Sequence, residues 1–119
     1  MSYDFYKILH ILGLSLVVLS LGGILLHVIN GGTKGSNGFR KGAMITHGVG
    51  LLLLLVAGFG MLAKLGIHSV PGWVGGKLVI WLALGALAAL AYKSQALAKK
   101  LWLVVPVLVL IASTLALYK

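Results

Sequence analysis

Apolar residues run along this chain in four long blocks, separated by short polar or glycine-rich breaks. Residues 8–29 and 42–63 contain no Lys, Arg, Asp or Glu. The third block, 73–92, holds one such residue near its start, Lys77, and the fourth, 101–118, is slightly shorter and closes on Tyr118 and Lys119. A helix needs about 20 mostly apolar residues to cross the hydrocarbon core of a bilayer. The pattern therefore predicts four spanning helices, over residues 4–29, 42–63, 73–92 and 99–118. The first block is of full spanning length and follows Tyr3, Asp4, Tyr6 and Lys7, which predicts a retained helix rather than a cleaved signal peptide.

The breaks leave no room for a soluble domain between the helices. Residues 30–41 (NGGTKGSNGFRK) read as a polar turn region, residues 64–72 (KLGIHSVPG) are interrupted by Pro71, and residues 93–100 (KSQALAKK) read as a short basic link. Helices joined this tightly lie antiparallel to their neighbours. The expected fold is thus all-α, one transmembrane domain over residues 1–119 folded as an up-down-up-down four-helix bundle.

Charge adds an orientation. The chain carries ten Lys and Arg against one acidic residue, Asp4, for a formal net charge of +9. Lys34, Arg40, Lys41, Lys93, Lys99 and Lys100 fall on one side of the predicted bundle and Lys7, Lys64, Lys77 and Lys119 on the other. Basic residues accumulate on the cytoplasmic side. The bias places both termini outside, which in a bacterial inner membrane is the periplasm. The positive charge reads as interfacial, meeting lipid phosphates; no soluble module backs a nucleic-acid-binding patch. Cysteine is absent, which excludes disulfides, thiolate metal sites and thiol catalysis.

Ionisable side chains inside spans cost free energy, so they are the first functional candidates. They are His10, His27, His47 and Lys77. His10 and Lys77 both lie near the outer end of their helices. Lys77 can extend its stem to outer phosphates beside Trp73, or it can be buried against an anionic ligand such as the propionates of a porphyrin, since the chain's one carboxylate, Asp4, is within a helical turn of Lys7. Lys77 shares a helical stripe with Trp81, Leu84, Gly85, Ala88 and Tyr92, an aromatic wall with a small-residue gap. That stripe suits a flat ring and equally suits helix packing.

His27 and His47 form a second set within a turn or two of the cytoplasmic surface, at similar though not identical depth if the first two helices form a hairpin. Two imidazoles from two helices can ligate haem iron. Each can also simply hydrogen-bond a backbone carbonyl or interfacial water. Gly42, Thr46 and Gly50 make a small-residue series that points to helix packing. His10 and His27 stand roughly 25 Å apart along the first helix, too far to share one ligand. His68 reads as a loop residue.

Several short motifs carry a resemblance. Lys7-x-x-His10 opens the first helix (KILH), Gly22-Gly23 lies toward its end, Gly72-Trp73 followed by Lys77 (GWVGGK) opens the third, and Pro106 sits in the fourth (LVVPVLVLIA). In these features the chain resembles the small four-helix membrane proteins related to the HemJ-type protoporphyrinogen oxidases. The resemblance spans most of the chain. It departs at the end of the first helix, where LLHVINGG stands in place of that family's Pro-Arg and Tyr-His stretch. It implies that His10 is a haem ligand and that Lys77 is essential to the chemistry.

Two readings of function from different classes follow. In one, the chain binds haem b or a porphyrin in the membrane and is an oxidoreductase passing electrons to quinone, with His10, His27, His47, Lys77 and Trp81 as cofactor-binding candidates, His10 and His47 as iron ligands and Lys77 as the catalytic residue. In the other it is a non-catalytic subunit of a larger membrane complex or a homo-oligomer, in keeping with its short loops, its lack of acids for proton transfer and its abundance of Gly, Ala and Leu. A transporter or copper-handling protein ranks below both, because three Met and scattered His make no recognisable copper cluster. No P-loop, dinucleotide fingerprint or catalytic triad is present.

Overall fold

The computed structural model describes residues 2–67 and 71–117. These form four α-helices and, among the described residues, no strand: α1 Tyr3–Ile29, α2 Arg40–Lys64, α3 Gly72–Leu90 and α4 Gln95–Leu117. Each is long and apolar enough to cross a membrane. His68 lies outside the described residues, as do Tyr118 and Lys119.

Local chemistry sets the helix ends. Ser2 caps α1, its hydroxyl accepting from the Phe5 N–H at 3.1 Å. Helices α1 and α2 both stop in a left-handed glycine, Gly31 at φ 89° and Gly66 at φ 75°. In each the N–H groups of that glycine and the next residue turn back onto the last helical turn: Gly31 to Val28 and Gly32 to His27 at 2.9 Å, Gly66 to Ala63 at 3.1 Å and Ile67 to Leu62 at 3.0 Å. Carbonyls that would otherwise end unpaired are satisfied. The fourth helix begins earlier than residue 99. Ser94 accepts from the Leu97 N–H at 3.1 Å, and residues 95–100, expected as a basic link, form the first turns of α4. Good helix formers (QALAKK) behind a serine cap explain the difference.

The contacts fix an antiparallel order. Along α1, Tyr6 meets Gly60, His10 meets Gly58, and Gly13 meets Gly50 and Leu54, so α2 runs back along α1. His47 reaches Leu84 and Trp81 reaches Leu51, which sets α3 antiparallel to α2. Gly76 faces Leu115, the corresponding register for α3 and α4. The helices form a ring in chain order, α4 closing on α1, with α1 and α3 touching little across the diagonal.

Packing is uneven along the bundle. Val17, Leu21, Ile24 and Leu25 of α1 are fully enclosed and, with Leu84, Leu87 and Ala88 of α3 and Ala98, Leu101 and Val105 of α4, form a core in the half nearer the basic loops. That end is also tied by side chains: Asn37 donates to the Tyr92 hydroxyl at 2.9 Å and Gln95 donates to the Ile29 carbonyl. Outward faces are apolar, with Leu19, Val79, Leu103 and Leu110 exposed by about two thirds. Such a surface is compatible with lipid rather than water. In the other half the helices α2 and α3 touch sparingly, and a cavity opens between them.

Candidate functional site

The cavity has a volume of about 640 Å³. Cofactor sites typically occupy about 300–1,000 Å³. All four helices line it. From α1 come Tyr3, Lys7, His10 and Leu14, a stripe at helical spacing; from α3 come Trp73, Lys77 and Trp81, one turn apart. Ser113 of α4 adds a hydroxyl. Among the described lining residues there is no carboxylate, and the remaining walls are apolar, Leu54, Leu62, Val74, Ile80 and Leu84 among them.

Three of the polar lining side chains, His10, Trp81 and Ser113, are held by backbone carbonyls. His10 Nδ1 donates to the Leu54 carbonyl at 3.1 Å, and its ring rests against Gly58, where a β-carbon would lie 3.6 Å away. A carbonyl can only accept, so in the neutral ring the bond leaves Nε2 with the lone pair. Trp81 Nε1 donates to the Leu51 carbonyl at 2.9 Å. Because His10 meets α2 at Leu54 and Trp81 meets it at Leu51, Lys77, one turn from Trp81, stands level with His10. Lys77 itself is partly buried.

Three of the five candidate residues, His10, Lys77 and Trp81, thus converge on one cavity. The other two do not line it. His47 is buried, 3% exposed, and its Nε2 donates to the Leu84 carbonyl at 3.1 Å, a cross-link between α2 and α3. His27 turns to the loop after α1, where Nε2 donates to the Thr33 carbonyl at 2.9 Å beside Ser36. The α1–α2 register sets His47 level with Val17 and Val18, roughly 14 Å along the axis from His27. The expected similar depth is therefore corrected: the two imidazoles are not brought together as a ligand pair. No cluster of three metal-ligating His, Cys, Asp or Glu occurs among the described residues.

Sequence reading passed over Tyr3, Lys7 and Ser113 as site residues. The signal for the first two was the spacing Tyr3, Lys7, His10, Leu14, which puts them on one face of α1; Ser113 carried none, since it also back-bonds to the Val109 carbonyl at 2.8 Å as a helical serine commonly does.

The residues present fit a porphyrin or haem on three counts. The volume suits a flat macrocycle, His10 offers an imidazole oriented by a carbonyl, and two lysines, Lys7 and Lys77, line the same cavity. His10 is the one imidazole lining the cavity among the described residues.

Fold and site together define a class: an all-α bundle of four helices of membrane-spanning length, with an apolar cavity carrying cations, tryptophans and one histidine. Comparison with protein families, curated proteins and solved structures finds no match.

Proposed function

We propose that this protein binds a porphyrin or haem inside the bilayer and acts in membrane redox chemistry, in the manner of the HemJ-type proteins that its motifs resemble. The observation that carries the reading is the convergence of His10, Lys77 and Trp81, from two helices, on one cavity of cofactor size. In this reading His10 would hold the group through its imidazole and Lys77 would hold an acidic edge of the ring, while Trp81, fixed to α2 by its N–H, would wall one side. Haem, when bound, supplies one-electron chemistry, and a lipid-soluble quinone is the natural acceptor at this depth. The basic loops would face the cytoplasm and the cavity end the periplasm of a bacterial inner membrane.

The test is an absorption spectrum of gently purified protein, oxidised and dithionite-reduced, before and after haem addition. A Soret band is expected. It should be lost in His10→Ala and kept in His47→Ala. Absence of any band after haem addition, or a band indifferent to His10→Ala, overturns the reading.

A second reading, a subunit of a larger membrane complex, is favoured by one observation. Val18, Gly22 and Leu25 of α1 and Trp102, Pro106 and Val109 of α4 line an apolar groove of about 360 Å³, in which a β-carbon on Gly22 would meet nothing within 4 Å. Grooves floored by glycine admit another helix closely. Co-purification of a stable partner, with wild-type behaviour of His10→Ala and Lys77→Ala, would favour it.

A further inference from the structure

We infer that the groove between α1 and α4 holds one acyl chain of an anionic phospholipid, whose phosphate is received by Lys99. This stands apart from the cavity and from His10. Gln95, Lys99, Trp102, Pro106 and Val109 recur at helical spacing and make one stripe of α4. The first of them donates to the Ile29 carbonyl at the end of α1, and the last three line the groove against Val18, Gly22 and Leu25. Lys99 lies between these contacts on the same stripe, so it stands at the head of the groove, one turn above Trp102. Lys99, Trp102, Pro106 and Val18 are all exposed, and the groove therefore opens away from the bundle.

Charge and depth select the occupant. The chain's one acidic residue, Asp4, sits in the first turn of α1, roughly 37 Å along the bundle from the groove head, so no acidic side chain reaches Lys99. Lys34, Arg40, Lys41, Lys93 and Lys100 add positive charge at the same end. A basic site between helices at the membrane surface is complementary to an anionic headgroup, and Trp102 just below it suits the boundary between headgroup and hydrocarbon. From Lys99 to Val109 the stripe covers roughly 15 Å, half of a hydrocarbon core about 30 Å thick. That is the depth of one leaflet, and a chain hung from a phosphate at Lys99 ends where the groove ends. A spanning helix would continue into the other leaflet, where α1 and α4 line the inner cavity instead.

The test uses whole protein in nanodiscs of phosphatidylcholine with a minor share of phosphatidylglycerol, bromine being placed at mid-chain of one lipid or the other to quench indole fluorescence. The Trp102 signal is the difference between wild type and Trp102→Phe. Brominated phosphatidylglycerol is expected to quench it about fivefold more, lipid for lipid, than brominated phosphatidylcholine, the effect of one lysine beside an anionic lipid. Lys99→Gln should abolish this excess and Lys99→Arg keep it. Lys100→Gln, roughly 100° round the helix, should change it by less than about twofold. Gly22→Leu puts a side chain into the open space of the groove and should abolish the excess with Lys99 still present. Helical circular dichroism identifies folded variants, and the exposed Lys99 decides the matter even where Gly22→Leu does not fold. No excess in wild type overturns the inference. An excess indifferent to Lys99→Gln, or lost equally in Lys100→Gln, belongs to the diffuse positive surface and overturns it. An excess that survives in folded Gly22→Leu removes the groove from the site and overturns it too. Trp102 shielded from both brominated lipids, in a cross-linked dimer that Gly22→Leu dissociates, makes a second copy of the chain the occupant and overturns the lipid.

Discussion

Gly13 and Gly50 bring the backbones of α1 and α2 into direct contact: a β-carbon on Gly13 would stand 2.8 Å from the Gly50 carbonyl oxygen, and one on Gly50 2.7 Å from that of Gly13. Both obstacles are backbone atoms and cannot rotate away. This crossing sets the register that carries His10 to Leu54 and Tyr6 to Gly60, and so it positions the cavity wall formed by the two helices.

Gly13→Ala or Gly50→Ala must therefore push the helices apart. Each is expected to destabilise the bundle by about 2 kcal/mol, the range of an overpacked core. Gly22→Ala is the control, since nothing lies within 4 Å of the added methyl and the change should be neutral or slightly stabilising. Equilibrium unfolding in mixed detergent measures all three, and equal stability of the three variants would contradict the assigned crossing.

Gly58 plays a different part, because the neighbour there is an imidazole at 3.6 Å rather than a backbone. Gly58→Ala makes ordinary contact with the His10 ring and should leave both fold and haem binding intact. Gly58→Leu needs the space the ring occupies and should break the His10 bond to Leu54, reducing haem affinity by about tenfold or more while stability changes less. Binding by Gly58→Leu at wild-type affinity would show that the ring position is irrelevant to the ligand.

The existence and type of all four helices were legible in the apolar blocks, because a chain with runs of this length has few ways to satisfy its backbone other than helices. The start of α4 was not, because Lys99 and Lys100 look like a loop when charge is read ahead of the Ser94 cap. For the site, the stripe on α3 was visible as spacing alone. That His10 and Lys77 share the outer end was legible too, but the cavity between them depends on the register between helices, and the register comes from backbone contact at glycines whose partners no single helix reveals. The histidines show the same limit. His10, His27 and His47 look alike in sequence, yet each bonds a different carbonyl, at Leu54, Thr33 and Leu84, and of the three histidines only His10 lines the cavity.

Gly66 gives a check on the fold that is independent of the cavity. Its φ of 75° suits glycine and strains any residue with a β-carbon. Gly66→Ala should cost about 1 kcal/mol through the cap of α2, although no atom lies within 4 Å of the new methyl. Gly66→Asn should recover part of that loss, because asparagine tolerates the left-handed region. Thermal unfolding of the three proteins orders them Gly, Asn, Ala if the cap is as described, and any order placing Ala first contradicts it.

His47 separates packing from ligation most cleanly. It is buried between α2 and α3, and its bond to Leu84 stands beside the bond from Trp81 to Leu51, so the two helices are stitched by one side chain from each. Removing the imidazole leaves a carbonyl that already serves its own helix, so the loss is that of one interhelical hydrogen bond and some packing, about 1 kcal/mol in a membrane bundle. His47→Ala should thus lower stability modestly and leave the position of the Soret band unchanged, and Trp81→Phe, which deletes the neighbouring N–H, should add to it by less than the sum if the two bonds hold one seam. A Soret band that shifts or disappears in His47→Ala would make His47 an iron ligand. It would then require α2 and α3 to part at Leu84, a rearrangement that cross-linking cysteines introduced into this cysteine-free chain at Leu51 and Gly85 would block.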